Sequence, residues 1–349
     1  MAGGFVHEAY AQRIVFGPGV ARTALPAEVE RLGAGRVLLM ASESARARVP
    51  LDGVTISAVF TDVRSHVPVE VAEAARAAAV DVDLLLAVGG GAATGVAKAV
   101  ALSTGLPVIA VPTTYSGSEA TPVWGLTENE QKSTGTDVRV LPRTVVYDPD
   151  LTVGLPLDLS VSSGLNAIAH AVDGLWAARA NPVSAVLGMA GVEALATGLV
   201  AVAADETDGS ARERCLLGTY LTAISFRGTG GGLHHAVCHL LGGTYSLPHA
   251  ATHAVVLPHV LAYNGAAAPR AAEQVARALN ATDAVGGLHK LYRRLGAPTA
   301  LRDLGMPADR LDEAALLLTR VVPDANPRPV GPDDARRLID AMWAGRWPD

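Results

Sequence analysis

Four histidines and an asparagine in the second half of the chain are spaced for shared chemistry. Asn166 and His170 stand four apart in GLNAIAHAVDG, and His235 and His239 repeat that spacing in GLHHAVCHLLGG. Residues four apart share a helix face, so each pair can present two polar groups to one point. His249 follows in Leu247-Pro248-His249. Three imidazoles and one further donor meet the needs of a divalent-metal site. The bland alternative is a set of hydrogen-bonded core histidines, and His234, His253 and His259 are assigned to it.

A second set of residues suits an anion. The apolar run Leu84 to Val88 leads straight into Gly89-Gly90-Gly91-Ala92-Ala93-Thr94-Gly95, where a helical pattern begins. Glycines at the carboxyl end of a strand let the backbone approach a pyrophosphate, which the free N–H groups of the next helix favour. Glycine-rich turns also punctuate many α/β folds without binding anything. The next strand, however, ends in Pro112-Thr113-Thr114-Tyr115-Ser116-Gly117-Ser118-Glu119, again small and hydroxylic. Two adjacent strand ends then offer donors to one crevice, with Ser116 or Ser118 also able to cap a following helix.

Both sets need elements to hold them. Short apolar runs at 36–40, 54–60, 84–88, 108–111 and 144–147 alternate with helical stretches such as 69–79 and 93–103. That rhythm implies a doubly wound, mostly parallel, Rossmann-like sheet with helices on both faces. After Asp150 the β-type runs stop, so residues 1–151 are expected to form an α/β dinucleotide-binding domain and residues 152–349 an α-helical catalytic domain. Two domains also suit 349 residues, beyond the size at which one core stops growing.

Composition removes several classes of partner. The net charge is −6, from 28 Lys and Arg against 34 Asp and Glu, with no basic cluster for nucleic acid. Cys215 and Cys238 show no CxxC spacing, and MAGGFVHEAYAQR lacks the layout of a secretion signal, so a reducing cytoplasm is expected. Ala185 to Ala204 has the length of a membrane span, but it is rich in Ala and Gly and reads as a buried core helix, with no membrane partner.

These blocks, together with FGPG near residue 16, VLPRTVVYDP, HLLGGTYSLPHAATHAVVLPH and Asn326-Pro327-Arg328-Pro329, carry a resemblance in chain order over essentially the whole sequence. The chain resembles the iron-containing alcohol dehydrogenase superfamily, and within it the maleylacetate reductases. The resemblance implies a dehydroquinate synthase-like fold, NADH or NADPH in the crevice between two domains, and often a homodimer. It places Gly89, Gly90, Gly91 and Ala92 at the pyrophosphate, Thr113, Thr114 and Ser118 along the cofactor, and Lys132 near it. Asn166, His170, His235 and His249 match metal-ligand positions, and His239 matches a further histidine of the catalytic cleft.

The departures from the metal-using members are informative. They carry Asp at the positions of Asn166 and Gly95, whereas the maleylacetate reductases resemble this chain in both. A neutral amide leaves three imidazoles facing the full charge of a cation, so hard-metal affinity should fall and no metal is expected to be required. Ala236 and Ala251 stand where many of the reductases have Lys and Glu, which leaves a related unsaturated keto acid open as substrate. Ser42, where NAD-restricted members have Asp, neither binds the ribose hydroxyls strongly nor repels a 2′-phosphate, while Glu43 beside it disfavours the phosphate, so NADH is expected to work and NADPH to be tolerated.

The expected activity is therefore NAD(P)H-dependent reduction of the activated C=C bond of maleylacetate, a small dicarboxylate, to 3-oxoadipate in aromatic-compound degradation. His235 and His249 are expected to donate to the enolate or a carboxylate with His170 in support, and His239 or a linked water to deliver the proton. Asn166 would orient His170 or donate to substrate. Lys132, Arg139 and Arg143 are candidate carboxylate clamps, with surface ion pairing the favoured reading for each of the two arginines. A metal-dependent alcohol dehydrogenase, a sugar-phosphate cyclase-like lyase and a nucleotide-binding module without chemistry are the competing functions.

Overall fold

The computed structural model describes residues 4–128 and 131–348; the side chains at 131 and 132 lie outside the described residues. Two compact units form. A sheet unit holds Ala9–Leu155 and Thr207–Leu216, and a helical unit holds Met1–Glu8, Pro156–Glu206 and Leu217–Asp349. Neither is one continuous stretch, a feature absent from the single boundary expected near residue 151.

In the sheet unit, β1 (Arg13–Phe16), α1 (Ala21–Arg31), β2 (Val37–Ala41), α2 (Glu43–Arg46), β3 (Ile56–Phe60), α3 (Val69–Ala78), β4 (Leu84–Gly89), α4 (Gly91–Thr104) and β5 (Val108–Pro112) follow one another. A hairpin, β6 (Val123–Glu128) and β7 (Gln131–Thr136), precedes β8 (Thr144–Tyr147). The main sheet has the order β1-β8-β5-β4-β2-β3, every neighbouring pair parallel. β2, β4, β5 and β8 are buried along their whole length, which is why they read as unbroken apolar runs.

Alternate side chains serve opposite faces. Leu39, Leu84 and Leu86 pack with Leu25 and Val29 of α1. Leu38, Met40 and Leu85 pack with Val71 of α3 and with Val96 and Val100 of α4. Each such fully buried leucine contributes about 1.5–3 kcal/mol relative to exposure, and the period of two makes both layers obligatory. The doubly wound expectation is met. β1 and the β6–β7 hairpin went unread, the hairpin because its first strand is half-buried and polar residues recur along it.

The strand order creates a switch point. The connection leaving β2 runs to β3 on one side, and that leaving β4 runs to β5 on the other. Ala41 lies beside Val88, so the carboxyl ends of β2 and β4 are level where the order reverses. Open α/β sheets bind ligands at that place.

The helical unit contains α5 (Leu157–Gly174), α6 (Pro182–Ala204), most of α7 (Gly209–Thr229), α8 (Leu233–Tyr245), α9 (His249–Gly265), α10 (Pro269–Ala278), α11 (Ala284–Leu295), α12 (Leu311–Val321) and α13 (Pro332–Ala344). α5 packs against both α6 and α9, and α8 against α9. The long apolar α6 is not wholly a core helix. It buries the face carrying Gly188, Gly191, Leu195, Leu199 and Val202 and leaves Val183 and Val186 exposed.

Candidate active site

The sheet unit builds a cradle at the switch point. Gly89 takes φ +142°, a conformation that side-chain-bearing residues rarely adopt. Gly90 then caps α4 with no side-chain hydrogen bond, leaving the first N–H groups of a 14-residue helix for an anion. A Cβ at Gly90 would lie 2.9 Å from Cγ2 and Oγ1 of Thr114. The Thr113 N–H donates to the Gly89 carbonyl at 3.0 Å. The second strand end therefore packs directly on the first, as the sequence implied.

Ser42 follows β2 at the same end of the sheet and caps α2, its Oγ accepting from the Ala45 N–H at 3.3 Å. Ala92 stands in the first turn of α4, and Ser118 opens a 3-10 turn after Gly117. Lys132 belongs to β7, but its side chain lies outside the described residues. The bare helix start and a turn that a Cβ would fill suit a pyrophosphate with Gly89, Gly90, Gly91 and Ala92 around it. Gly95, where metal-using members carry Asp, is pressed by Val67, whose Cγ2 would be 2.7 Å from an added Cβ.

The helical unit gathers the imidazoles. Asn166, His170 and Asp173 occupy α5 at i, i+4 and i+7, one face of the helix. α8 supplies His234, His235 and His239, and α9 supplies His249 and His253. The rings of His170 and His235 lie nearly parallel, 5.2 Å apart, with Phe226 of α7 at 4.9 and 4.5 Å from them. His239 is 6.3 Å from His235 and 6.5 Å from His249. All four expected histidines thus join one cluster.

His253 belongs to it as well, 4.5 Å from His249 and 5.1 Å from His235. His234 Nε2 and His253 Nδ1 share a hydrogen bond of 2.9 Å. Both are buried and hydrogen-bonded, as expected of core histidines, and they also border the cluster, because α9 turns His253 toward His235. His259 makes no ring contact with the cluster among the described residues.

Asp173 organises the group. Its buried carboxylate accepts from the N–H of Gly232 at 2.6 Å, His234 at 3.2 Å and His235 at 3.3 Å, capping the start of α8. It also accepts from His235 Nδ1 at 2.8 Å and from the Trp176 indole at 2.9 Å. Burial alone would raise its pKa, yet the His235 hydrogen bond and the backbone donors hold the carboxyl well below the usual range. Sequence reasoning missed it, although an acid seven residues after Asn166 in an Ala-rich helix was a signal.

Several polar atoms face inward with no partner among the described residues: Asn166 Oδ1, His170 Nδ1 and His235 Nε2. No hydrogen bond joins Asn166 to His170, so that expected orienting role is not seen. Burial, reinforced by His235, keeps the His170 imidazole neutral far below its ordinary pKa. The same two causes push His234 down to about 3, and burial with His249 lowers His253 strongly.

A metal finds a poor donor set here. Among the described residues, the three side chains whose donor atoms all lie within 4.8 Å of one another are His234, Cys238 and His253, and His170, His235 and His249 form no such group. In the former set two imidazole nitrogens already bond each other, and burial pushes the Cys238 thiol well up, away from the thiolate a metal needs. Arg139 is no free clamp either, since it forks onto Asp137 at 2.6–3.1 Å. Arg143 is exposed on the sheet unit.

A dinucleotide-type cradle on a parallel sheet and an imidazole site on a helical unit define an oxidoreductase class rather than one enzyme. The iron-containing alcohol dehydrogenase family matches residues 11–149, and its C-terminal part matches residues 160–343. The maleylacetate reductase of Burkholderia cepacia is 43% identical over 347 residues, covering 98% of each chain. The crystal structure of maleylacetate reductase from Agrobacterium tumefaciens superposes with TM-score 0.92 at 39% identity, covering 99% of this chain and 100% of that one. That of an iron-containing alcohol dehydrogenase from Corynebacterium glutamicum gives TM-score 0.96 at 45% identity, covering 99% and 98%. The chain belongs to the iron-containing alcohol dehydrogenase family.

Proposed function

We propose that this protein reduces the conjugated double bond of maleylacetate, or of a closely related unsaturated oxo-dicarboxylate, with NAD(P)H and without a resident metal. Near-full-length similarity to maleylacetate reductases supports the substrate. The observation that carries the chemistry is the His235–Asp173 pair, with the neutral Asn166 two turns before Asp173 on the same face of α5.

When bound, NAD(P)H supplies hydride from C4 of its dihydronicotinamide to the alkene carbon activated by the ketone. Gly89, Gly90, Gly91 and Ala92 hold its pyrophosphate, with Thr113, Thr114 and Ser118 alongside. Ser42, carrying no charge, leaves room for either the ribose hydroxyls or a 2′-phosphate. The negative charge that develops on the substrate oxygen needs donors. His249 supplies one at the start of α9, whose free N–H groups also favour a substrate carboxylate.

His235 delivers the proton. Asp173 at Nδ1 fixes its tautomer and supports positive charge on the ring when Nε2 holds a proton, which makes Nε2 the transfer atom. His170, kept neutral by burial, stacks on His235 and limits its rotation. His239 is exposed on α8 and is placed to resupply the proton from solvent rather than to deliver it. The test is a spectrophotometric screen of NADH and NADPH against maleylacetate and small aldehydes. Rapid oxidation with maleylacetate alone is expected; turnover with aldehydes alone overturns the proposal.

A further inference from the structure

Lys98 is a lysine where a lysine is expensive. It sits in α4, seven residues after Gly91 and so on the same helix face, and its side chain is buried, with 1% exposure. Burying an ammonium group is unfavourable unless every N–H finds an acceptor. Here each one does. Nζ donates to the carbonyls of Ser118 at 2.7 Å, Thr121 at 2.8 Å and Val123 at 2.7 Å, with Thr121 Oγ1 at 3.3 Å.

Those three carbonyls lie on the turn that follows β5, from the 3-10 helix Ser118–Ala120 to the start of β6. Ser118 to Thr121 belong to no strand ladder and are held by the short turn bonds from Ala120 to Gly117 and from Thr121 to Ser118, Val123 alone pairs in β6 with Thr136, and Gly117 enters at φ +75°. Three acceptors match the three N–H bonds of an ammonium; a neutral amine would leave one carbonyl unpaired. An apolar side chain of equal length would fill the space and strip the Thr121 and Val123 carbonyls of this donor, while the Ser118 carbonyl would keep the Thr121 N–H at 3.2 Å and hydroxyl at 3.1 Å. Burial pulls the Lys98 ammonium down to about 7 and pushes the Glu119 carboxyl up; Glu119, in the same turn and bonded by the Tyr147 hydroxyl at 2.8 Å, opposes the loss of the lysine charge through space.

One end of α4 therefore receives the anion, and the middle of the same helix grips the neighbouring strand's loop. We propose that Lys98 is a positioning residue for the dinucleotide: by holding the carbonyls of Ser118, Thr121 and Val123 it fixes the Thr113–Ser118 segment against the glycine turn. The proposal rests on the NAD(P)H assignment above. Lys98 touches neither cofactor nor substrate and acts through the backbone of Ser118.

The test compares Lys98→Met, Lys98→Gln and, as a control, Val100→Ala, a core truncation on the same helix with no carbonyl partners. NADH affinity is read directly by titration calorimetry, alongside melting temperature and the separate changes in KM and kcat. Lys98→Met is expected to raise the NADH Kd about tenfold or more and kcat to change little, because a displaced loop weakens binding before it alters the reacting groups. Lys98→Gln, which retains two donors, should fall between Met and wild type. Val100→Ala should melt earlier yet keep its NADH Kd within about twofold, as a cavity remote from the loop would.

A folded Lys98→Met protein with unchanged NADH affinity overturns the proposal, as does an equal loss in Val100→Ala. If Lys98→Met yields no folded protein, Lys98→Gln decides, and an unchanged Kd in it overturns the proposal too. Wild-type protein that binds NADH but leaves maleylacetate untouched defeats only the substrate assignment, since the Kd comparison stands. Binding of neither NADH nor NADPH defeats both.

Discussion

His235 donates from Nδ1 to the buried carboxylate of Asp173 at 2.8 Å, while its Nε2 has no partner among the described residues. The carboxylate is shared with the backbone N–H groups that start α8, so one charge fixes both the helix carrying His235 and the tautomer of its ring. The proposed proton transfer and the local folding of α8 are tied to the same atom pair.

Asp173→Asn separates the two roles. The amide can still accept from part of α8 but no longer dictates which ring nitrogen carries the proton, so kcat should fall about 10²- to 10⁴-fold. Turnover within a few-fold of wild type would show that His235 does not transfer the proton. Circular dichroism and melting temperature report the accompanying loss of the cap.

His249→Ala should lower turnover about 10²-fold or more and leave the fold intact, since the residue is half-buried at the start of a helix. Steady-state kinetics and a melting curve check both halves. Near-normal kcat would remove His249 from the oxyanion-binding role.

Acid should destabilise the fold early. Burial lowers the native pKa of His170, His234 and His253, with His259 held at about 4, while an unfolded histidine titrates near 6.5. Between the unfolded and folded values the unfolded chain binds more protons, so this stability is fully present above about pH 6.5 and falls as pH drops. Each histidine contributes about 1.4 kcal/mol per pH unit within the window. Urea midpoints at pH 7.5, 6 and 5 should decline steeply; a flat series contradicts the neutral cluster.

Asn166→Asp introduces a charge one turn from His170, whose Nδ1, like Nε2 of His235, lacks a partner among the described residues. Retained zinc or iron after dialysis should rise from near zero toward a substantial fraction of the chains, since a carboxylate favours a divalent ion where an amide does not. Elemental analysis of the two proteins side by side measures it. Equal metal content would mean that residue 166 does not govern affinity.

Much of the architecture was legible because buried parallel strands leave unbroken apolar runs and glycine turns mark strand ends. The spacing put His235 and His239 on one face of α8, and His170, His235, His239 and His249 do lie together. Asp173, His253 and Lys98 were not legible in the same way. Each gains its role from partners distant in sequence, α8 for Asp173, α8 again for His253, and the turn after β5 for Lys98. For Arg139 the surface ion pairing favoured over a clamp is what forms: Asp137, two residues away, captures the guanidinium.

The most direct test of a metal-free imidazole site is turnover of maleylacetate by protein dialysed against EDTA, with metal content measured on the same sample. The arrangement of Asn166, His235 and Asp173 predicts full activity at negligible metal per chain. Activity that disappears on chelation and returns with Fe²⁺ or Zn²⁺ would contradict it.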